Sequence, residues 1–393
     1  MKAIAWHGKR DVRVDTVKDP SLLHDTDAII KVTTTAICGS DLHLYEVLSP
    51  FLDAGDILGH EPMGIVEEVG SAVTHIQRGD RVVVPFNISC GHCFMCHNDL
   101  YSQCETTQVR EHDSGAALFG YTKLYGQVPG GQAEYLRVPQ AQFGPIKVPD
   151  EGPDEQFIYL SDVLPTAFQA VQYANIKEGE SVAVLGLGPI GQMCSRIAKQ
   201  RGARVIAIDL IPERLAMAKR HDIEVLNLLE HKNVADTVRE MTNGRGTDSV
   251  IDAVGMEAHG APIGRLAQQI TSVIPGKFAA PLMKKAGIDC LAALLTAIDI
   301  VRRGGTLSII GVYGGMSDPL PLMKLFDKQV QIRMGQANVK RWISDLMPFV
   351  MDDKDPLGIR DLASHVMPLS EGPKAYELFQ KKQDNAIKIL LKP

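Results

Sequence analysis

Long apolar runs are missing from this 393-residue chain, and no run of about eighteen residues escapes a charged side chain. No segment therefore reads as a membrane span. The most apolar stretch, "LAALLTAIDIV", is short and carries Asp299, which marks it as a buried helix. Positive charge is not in excess either: 41 Lys and Arg face 47 Asp and Glu, for a net charge of -6. That balance removes the electrostatic ground for nucleic acid or an anionic membrane as partner. The opening "MKAIAWHGKRDVRV" lacks the apolar core of a signal peptide and alternates like a strand. A cytoplasmic protein acting on a small molecule is the expectation. Cysteine is sparse, with seven in all, yet four crowd into "CGHCFMCHNDLYSQC". In a reducing compartment such a cluster reads as metal ligands rather than disulfides.

The length leaves room for two domains. The early runs "DAIIKVTTTAI", "GIVEEVG" and "DRVVVPF" are bounded by Gly, Pro and Asp, as strands between turns are. From about residue 165 strand and helix alternate. "SVAVLGLG" suits a parallel strand covered on both faces, and "PIGQMCSRIAKQRG", "ARVIAID", "PERLAMAKRH", "DSVIDAVG" and "TLSIIGVYGG" continue the pattern. "DCLAALLTAIDIVRRGG" reads as an amphipathic helix closing on its glycine pair. The expected fold class is α/β: a doubly wound parallel sheet over 165–335, interrupted by an insertion at about 256–288, beside a β-rich domain over 1–164. Residues 336–393 are expected to return to that β-rich domain as a loop, a helix and a final strand.

"GLGPIG" places Gly186, Gly188 and Gly191 in the dinucleotide spacing, with Pro189 and Ile190 between them. It follows a strand, opens a helix, and precedes a second strand ending in Asp209, eighteen residues beyond Gly191. Gly186 permits the turn, Gly188 lets backbone approach a pyrophosphate, and Gly191 lets helix pack on strand. Asp209 either accepts hydrogen bonds from the adenine ribose or merely caps its strand end. Leu210 rather than an arginine follows it, which favours NAD over NADP. Arg214, in the next helix, joins the expected cofactor set.

Cys90, Cys93, Cys96 and Cys104 have the spacing C-x2-C-x2-C-x7-C, within a lobe expected at about 88–106. Four thiolates on such tight turns suit tetrahedral zinc and leave no open position, so this site is structural. An iron–sulfur run would continue x3-C-P, which this one does not. His92 and His97 read as solvated loop residues, and Cys194 and Cys290 as core. Cys38 differs, because it heads "CGSDLH"; "GHEPMGIVEEVG", with His60 and Glu61, follows.

These two motifs, the four-cysteine lobe and "GLGPIG", in that order, resemble the zinc-dependent medium-chain alcohol dehydrogenases over essentially the whole chain except the insertion. The resemblance implies a GroES-like catalytic domain beside a Rossmann domain, two zinc ions per chain and NAD. It implies a catalytic zinc in the cleft between domains, with Cys38 and His60 as ligands. Where many members have a further cysteine, "YLSDVLPTAF" offers Asp162, as in the glutathione-independent formaldehyde dehydrogenase and formaldehyde dismutase branch. Glu61 is implied as an alternate ligand or a supporting residue. Ser40 and His43 match the proton relay, Phe86 a substrate-pocket aromatic, Thr166 a residue beside the nicotinamide, and Lys388 a contact to the pyrophosphate. Phe86 reads equally as core. A dehydrogenase of small alcohols and aldehydes is the expectation, assembled as a homo-oligomer, tetramer before dimer. A secondary-alcohol or polyol dehydrogenase and a non-catalytic NAD-binding structural protein are the alternatives.

Overall fold

The computed structural model describes residues 1–46, 48–255, 291–313 and 320–393. The insertion expected at about 256–288, and Cys290, lie outside the described residues. The chain divides into two compact units, Met1–Pro165 with Ala337–Pro393, and Thr166–Gln336.

The first unit opens with an antiparallel hairpin of β1 (Lys2–Gly8) and β2 (Asp11–Thr16). β3 (Ala28–Ile37) is dominated by Ile, Val and Thr, whose branched side chains suit a packed pleated surface. The chain then turns into α1 (Gly39–Glu46) and comes back as β4 (Glu61–Val69), antiparallel to β3. Gly64 in β4 has no alternative, since a Cβ there would lie 2.0 Å from the Lys31 carbonyl oxygen. β5 (Arg81–Val83), β6 (Tyr135–Val138) and β7 (Ile146–Lys147) complete this part of the sheet. Ile30, Val32, Val66, Val82, Val84, Phe119 and Leu136 fill its core.

The register matters for function. Ala36 on β3 stands opposite Glu61 on β4. Cys38 and His60, just past that pair on each strand, therefore leave the sheet side by side.

After α2 (Val163–Ala174), the second unit is a parallel sheet wrapped by helices. Its parts are β8 (Ser181–Leu185), α3 (Pro189–Gln200), β9 (Arg204–Asp209), α4 (Pro212–Arg220), β10 (Glu224–Asn227), α5 (Val234–Met241), β11 (Thr247–Asp252), α6 (Ala292–Ile300), β12 (Val301–Ile309), α7 (Leu322–Lys328) and β13 (Gln331–Met334). The strand order β10-β9-β8-β11-β12-β13 is that of a dinucleotide-binding fold, with the reversal between β8 and β11. The helix expected to end at its glycine pair stops earlier, at Ile300. Val301 already pairs with Thr247, and Gly304 takes a left-handed φ of 68° inside the irregular stretch of β12. A buried β-branched Val301 favoured the strand, and the glycines serve its bulge.

The remaining segment belongs to the first unit and carries α8 (Ile343–Val350), β14 (His365–Pro368), α9 (Gly372–Lys381) and β15 (Ile389–Lys392). β15 pairs antiparallel to β3, Ile389 opposite Ile37, so Lys388 arrives beside Cys38's strand. Among the described residues no helix is long and apolar enough to cross a membrane.

Candidate metal centre and nucleotide loop

Donor atoms of Cys38, His60, Glu61 and Asp162 all lie within 4.8 Å of one another, and all four residues are buried. Strand pairing supplies the first three, and Asp162 enters from the junction before α2. Cys38 Sγ and His60 Nε2 each stand 3.6 Å from Asp162 Oδ2. His60 Nδ1 faces Asp41 Oδ1 at 3.1 Å, and neither atom has another partner. Asp41 Oδ2 accepts from the Cys38 amide at 2.9 Å. With a metal in the cluster, a proton on Nδ1 facing Asp41 would leave the Nε2 lone pair for the ion. Ser40 Oγ lies 3.2 Å from that same Nε2.

The electrostatics fit a cation. Burial pushes the Cys38 thiol and the Glu61 carboxyl up. Burial pulls His60 down, but Asp41, Asp162 and Cys38 outweigh it and raise His60 well above its ordinary value. Lys388 answers the Glu61 carboxylate, and the negative charge of Cys38 and Asp162 around His60 calls for a compensating proton or a divalent metal. Glu61 Oε2 is buried without a hydrogen-bond partner. The set of one thiolate, one imidazole and one or two carboxylates matches zinc, with a position left for substrate when only three ligate.

Lys388 arrives next to this cluster from the last strand. Its ammonium is fully buried, 2.5 Å from Glu61 Oε1 and 3.1 Å from the Ile37 carbonyl oxygen. It neutralises the carboxylate beside the metal ligands. A lysine within "AIKILL" carries no local sign of which anion it serves.

Phe86 stands edge-on to the His60 ring, centroids 6.3 Å apart, and Tyr121 does so from another side at 6.4 Å. His43 is buried on α1, and Thr166 is buried on α2. Asp41, Tyr121, Gln132 and Tyr376 escaped the sequence reading. Only Asp41 had a signal, being inside "CGSDLH".

The four cysteines close on themselves. Cys90 and Cys96 sulfurs are 4.0 Å apart, Cys93 and Cys104 sulfurs 3.9 Å. A zinc tetrahedron with bonds of about 2.3 Å requires roughly 3.8 Å between thiolates. Amides of Cys90, His92 and Glu105 point at Cys104, Cys90 and Cys93 sulfurs. Burial alone would raise Cys93, but hydrogen bonds from Cys96 and Glu105 bring it down to about 6. His92 and His97 are exposed.

In the second unit Gly186 turns with φ 83°, and a Cβ on Gly191 would lie 1.8 Å from the Gly186 carbonyl oxygen. Pro189 and Ile190 open α3. Asp209 clamps this loop: Oδ2 accepts from the Leu187 amide at 2.6 Å, and Oδ1 from the Leu210 and Ile211 amides. Arg214 reaches to 3.8 Å from Asp209 Oδ2 and 4.0 Å from the Cβ position of Gly188. Cys194 is buried in α3.

The alcohol dehydrogenase GroES-like domain matches residues 24–150, and the zinc-binding dehydrogenase domain residues 189–276. An uncharacterized zinc-type alcohol dehydrogenase-like protein of Bacillus subtilis is 44% identical, with both chains covered in full. The chain belongs to the zinc-dependent medium-chain alcohol dehydrogenase family. It is an oxidoreductase of that family, and the non-catalytic alternative falls. The formaldehyde dismutase of Pseudomonas putida is 32% identical over 97% of this chain and 95% of its own. Among solved structures, the alcohol dehydrogenase TADH from Thermus sp. ATN1 superposes with a TM-score of 0.83 at 35% identity, covering 100% of this chain and 99% of that one. The four-cysteine cluster and the Cys38 cluster are compatible with two zinc ions per chain.

Proposed function

We propose that this protein transfers a hydride between a small primary alcohol or aldehyde hydrate, formaldehyde-like in size, and NAD. The observation that carries the reading is the convergence of Cys38, His60 and the carboxylate Asp162 in one buried centre beside Ser40. Zinc held there supplies Lewis acidity, and NAD supplies the hydride acceptor. On this reading Ser40, whose Oγ lies 3.2 Å from His60 Nε2, takes the proton of the substrate hydroxyl, and His43, three residues along the same helix, carries it onward. The Phe86 and Tyr121 rings stand edge-on to His60 and give the centre an apolar border, which suits a small substrate. Asp162, donating less charge than a thiolate, keeps the centre more electrophilic.

An aldehyde hydrate that gives up a hydroxyl proton and a hydride leaves as the acid. A second aldehyde that takes the same pair leaves as the alcohol. This dismutation requires NAD to stay bound between turnovers, and likeness to a formaldehyde dismutase supports it. Turnover of formaldehyde, primary alcohols, secondary alcohols and sugar alcohols, each with and without added NAD, tests the reading. Formaldehyde consumed without added NAD, with nicotinamide released on denaturation, is the expected result. Activity confined to secondary alcohols or polyols with exogenous NAD favours the alternative dehydrogenase.

The molecule is further read as a homo-oligomer. All four residues of β13 are exposed, Ile332 and Met334 among them, and among the described residues its outer edge has no partner strand, which invites a second copy.

A further inference from the structure

Behind the metal ligands lies a chain of buried polar groups, of which the sequence motifs contain only Asp41. Gln132 is fully buried, and its Nε2 donates to the Ala36 carbonyl oxygen and to Asp41 Oδ2, both at 3.2 Å. Its Oε1 accepts from the Tyr376 hydroxyl at 2.9 Å. The two amide hydrogens therefore meet two acceptors, and the amide oxygen meets a donor. A flipped amide would set Oε1 against a carboxylate and a carbonyl, so its orientation is fixed.

Three distant parts of the chain converge to make this arrangement. Ala36 and Asp41 flank Cys38, Gln132 precedes β6, and Tyr376 lies on α9. Gly59, next to His60, has φ 97°, and a Cβ there would come within 2.3 Å of Gln132 Cγ. The backbone at the metal centre is thus moulded around the glutamine.

We infer that Gln132, oriented by Tyr376, is a positioning residue for the metal centre, acting through Asp41 on His60. Holding Asp41 Oδ2 with the Cys38 amide leaves Oδ1 to face His60 Nδ1, and this fixes the imidazole ring with Nε2 toward the cluster. The inference rests on the Cys38–His60–Asp162 reading of the catalytic zinc. Partners that orient a ligating imidazole change metal affinity by about 10–100-fold when removed.

The test follows zinc release to a competing chelator from the intact protein. The four-cysteine zinc serves as the control within each molecule. Gln132→Met should release the second zinc about tenfold faster or more, and Tyr376→Phe, which removes one oxygen, a few-fold faster (on the order of 2–5). Four-cysteine release should stay at the wild-type rate. Cobalt placed in the catalytic centre should show an altered visible spectrum in both variants. Unchanged release and spectra in a folded variant overturn the inference, and so does equal acceleration at both centres. If Gln132→Met does not fold, Tyr376→Phe decides alone. A wild-type chain with zinc only on the four cysteines overturns the underlying reading and this inference with it.

Discussion

Lys388 Nζ and Glu61 Oε1 sit 2.5 Å apart with both side chains fully buried, one residue along from His60. The charge pair spans the sheet from β15 to β4 and supports the floor of the metal centre. Breaking one side of such a pair strands a charge in a dry interior. Lys388→Met is expected to destabilise the protein by about 3–5 kcal/mol. The double variant Lys388→Met with Glu61→Gln should recover most of that loss. Urea unfolding of the single and double variants measures both. Equal losses in the two would show that the pair is not what matters.

Asp209 holds the nucleotide loop through three amides and also faces Arg214. Asp209→Ala should lower kcat/KM with NAD by about 10-fold or more, from lost ribose hydrogen bonds. With the carboxylate gone, Arg214 is released toward a 2′-phosphate, so NADP should lose far less or gain. Steady-state kinetics with both cofactors decide the point. A parallel fall would make Asp209 a loop clamp only.

Asp248 ties β11 to β8 and β12, accepting from the Ser181 amide and hydroxyl and from Arg302. Burial raises its carboxyl, but Ser181 and Arg302 outweigh that and hold it below the ordinary value. A depressed folded pKa gives stability that is present above the unfolded value, near 3.9, and lost as pH falls through the folded one. Asp248→Asn weakens the bonds from Ser181 and Arg302 and, with solvent screening of this partly exposed pair, should cost about 1 kcal/mol or less at neutral pH. Its gap to wild type should narrow below about pH 4. Paired urea titrations across that range measure the gap, and a constant gap refutes the assignment.

Much of the centre was legible because its residues sit in short motifs with fixed chemistry. Four closely spaced cysteines, the glycine loop, and Cys38 and His60 at strand ends all announce themselves locally. What was not legible depends on pairings distant in sequence. Lys388 reads from its motif as a phosphate contact, and its bond to Glu61 emerges only once β15 is placed beside β3. Gln132, Tyr121 and Tyr376 carry no local pattern, because their roles arise only where separate segments converge. Asp41 stood in plain view, but its task is set by the β3–β4 register. The early end of α6 was missed because a glycine pair marks a helix stop and a strand bulge equally well.

The exposed β13 edge carries its own expectation. Ile332→Lys with Met334→Lys should shift sedimentation of the purified protein toward a smaller species. An unchanged assembly would place the interface elsewhere.

The central claim is that Asp162 completes a catalytic zinc centre distinct from the four-cysteine site. Zinc content and formaldehyde turnover, measured together on wild type and Asp162→Ala, test it most directly. The account predicts two zinc ions per wild-type chain. It predicts one in Asp162→Ala, on the four cysteines, with turnover lowered by roughly a thousandfold or more. A variant that keeps two zinc ions and wild-type turnover would contradict it.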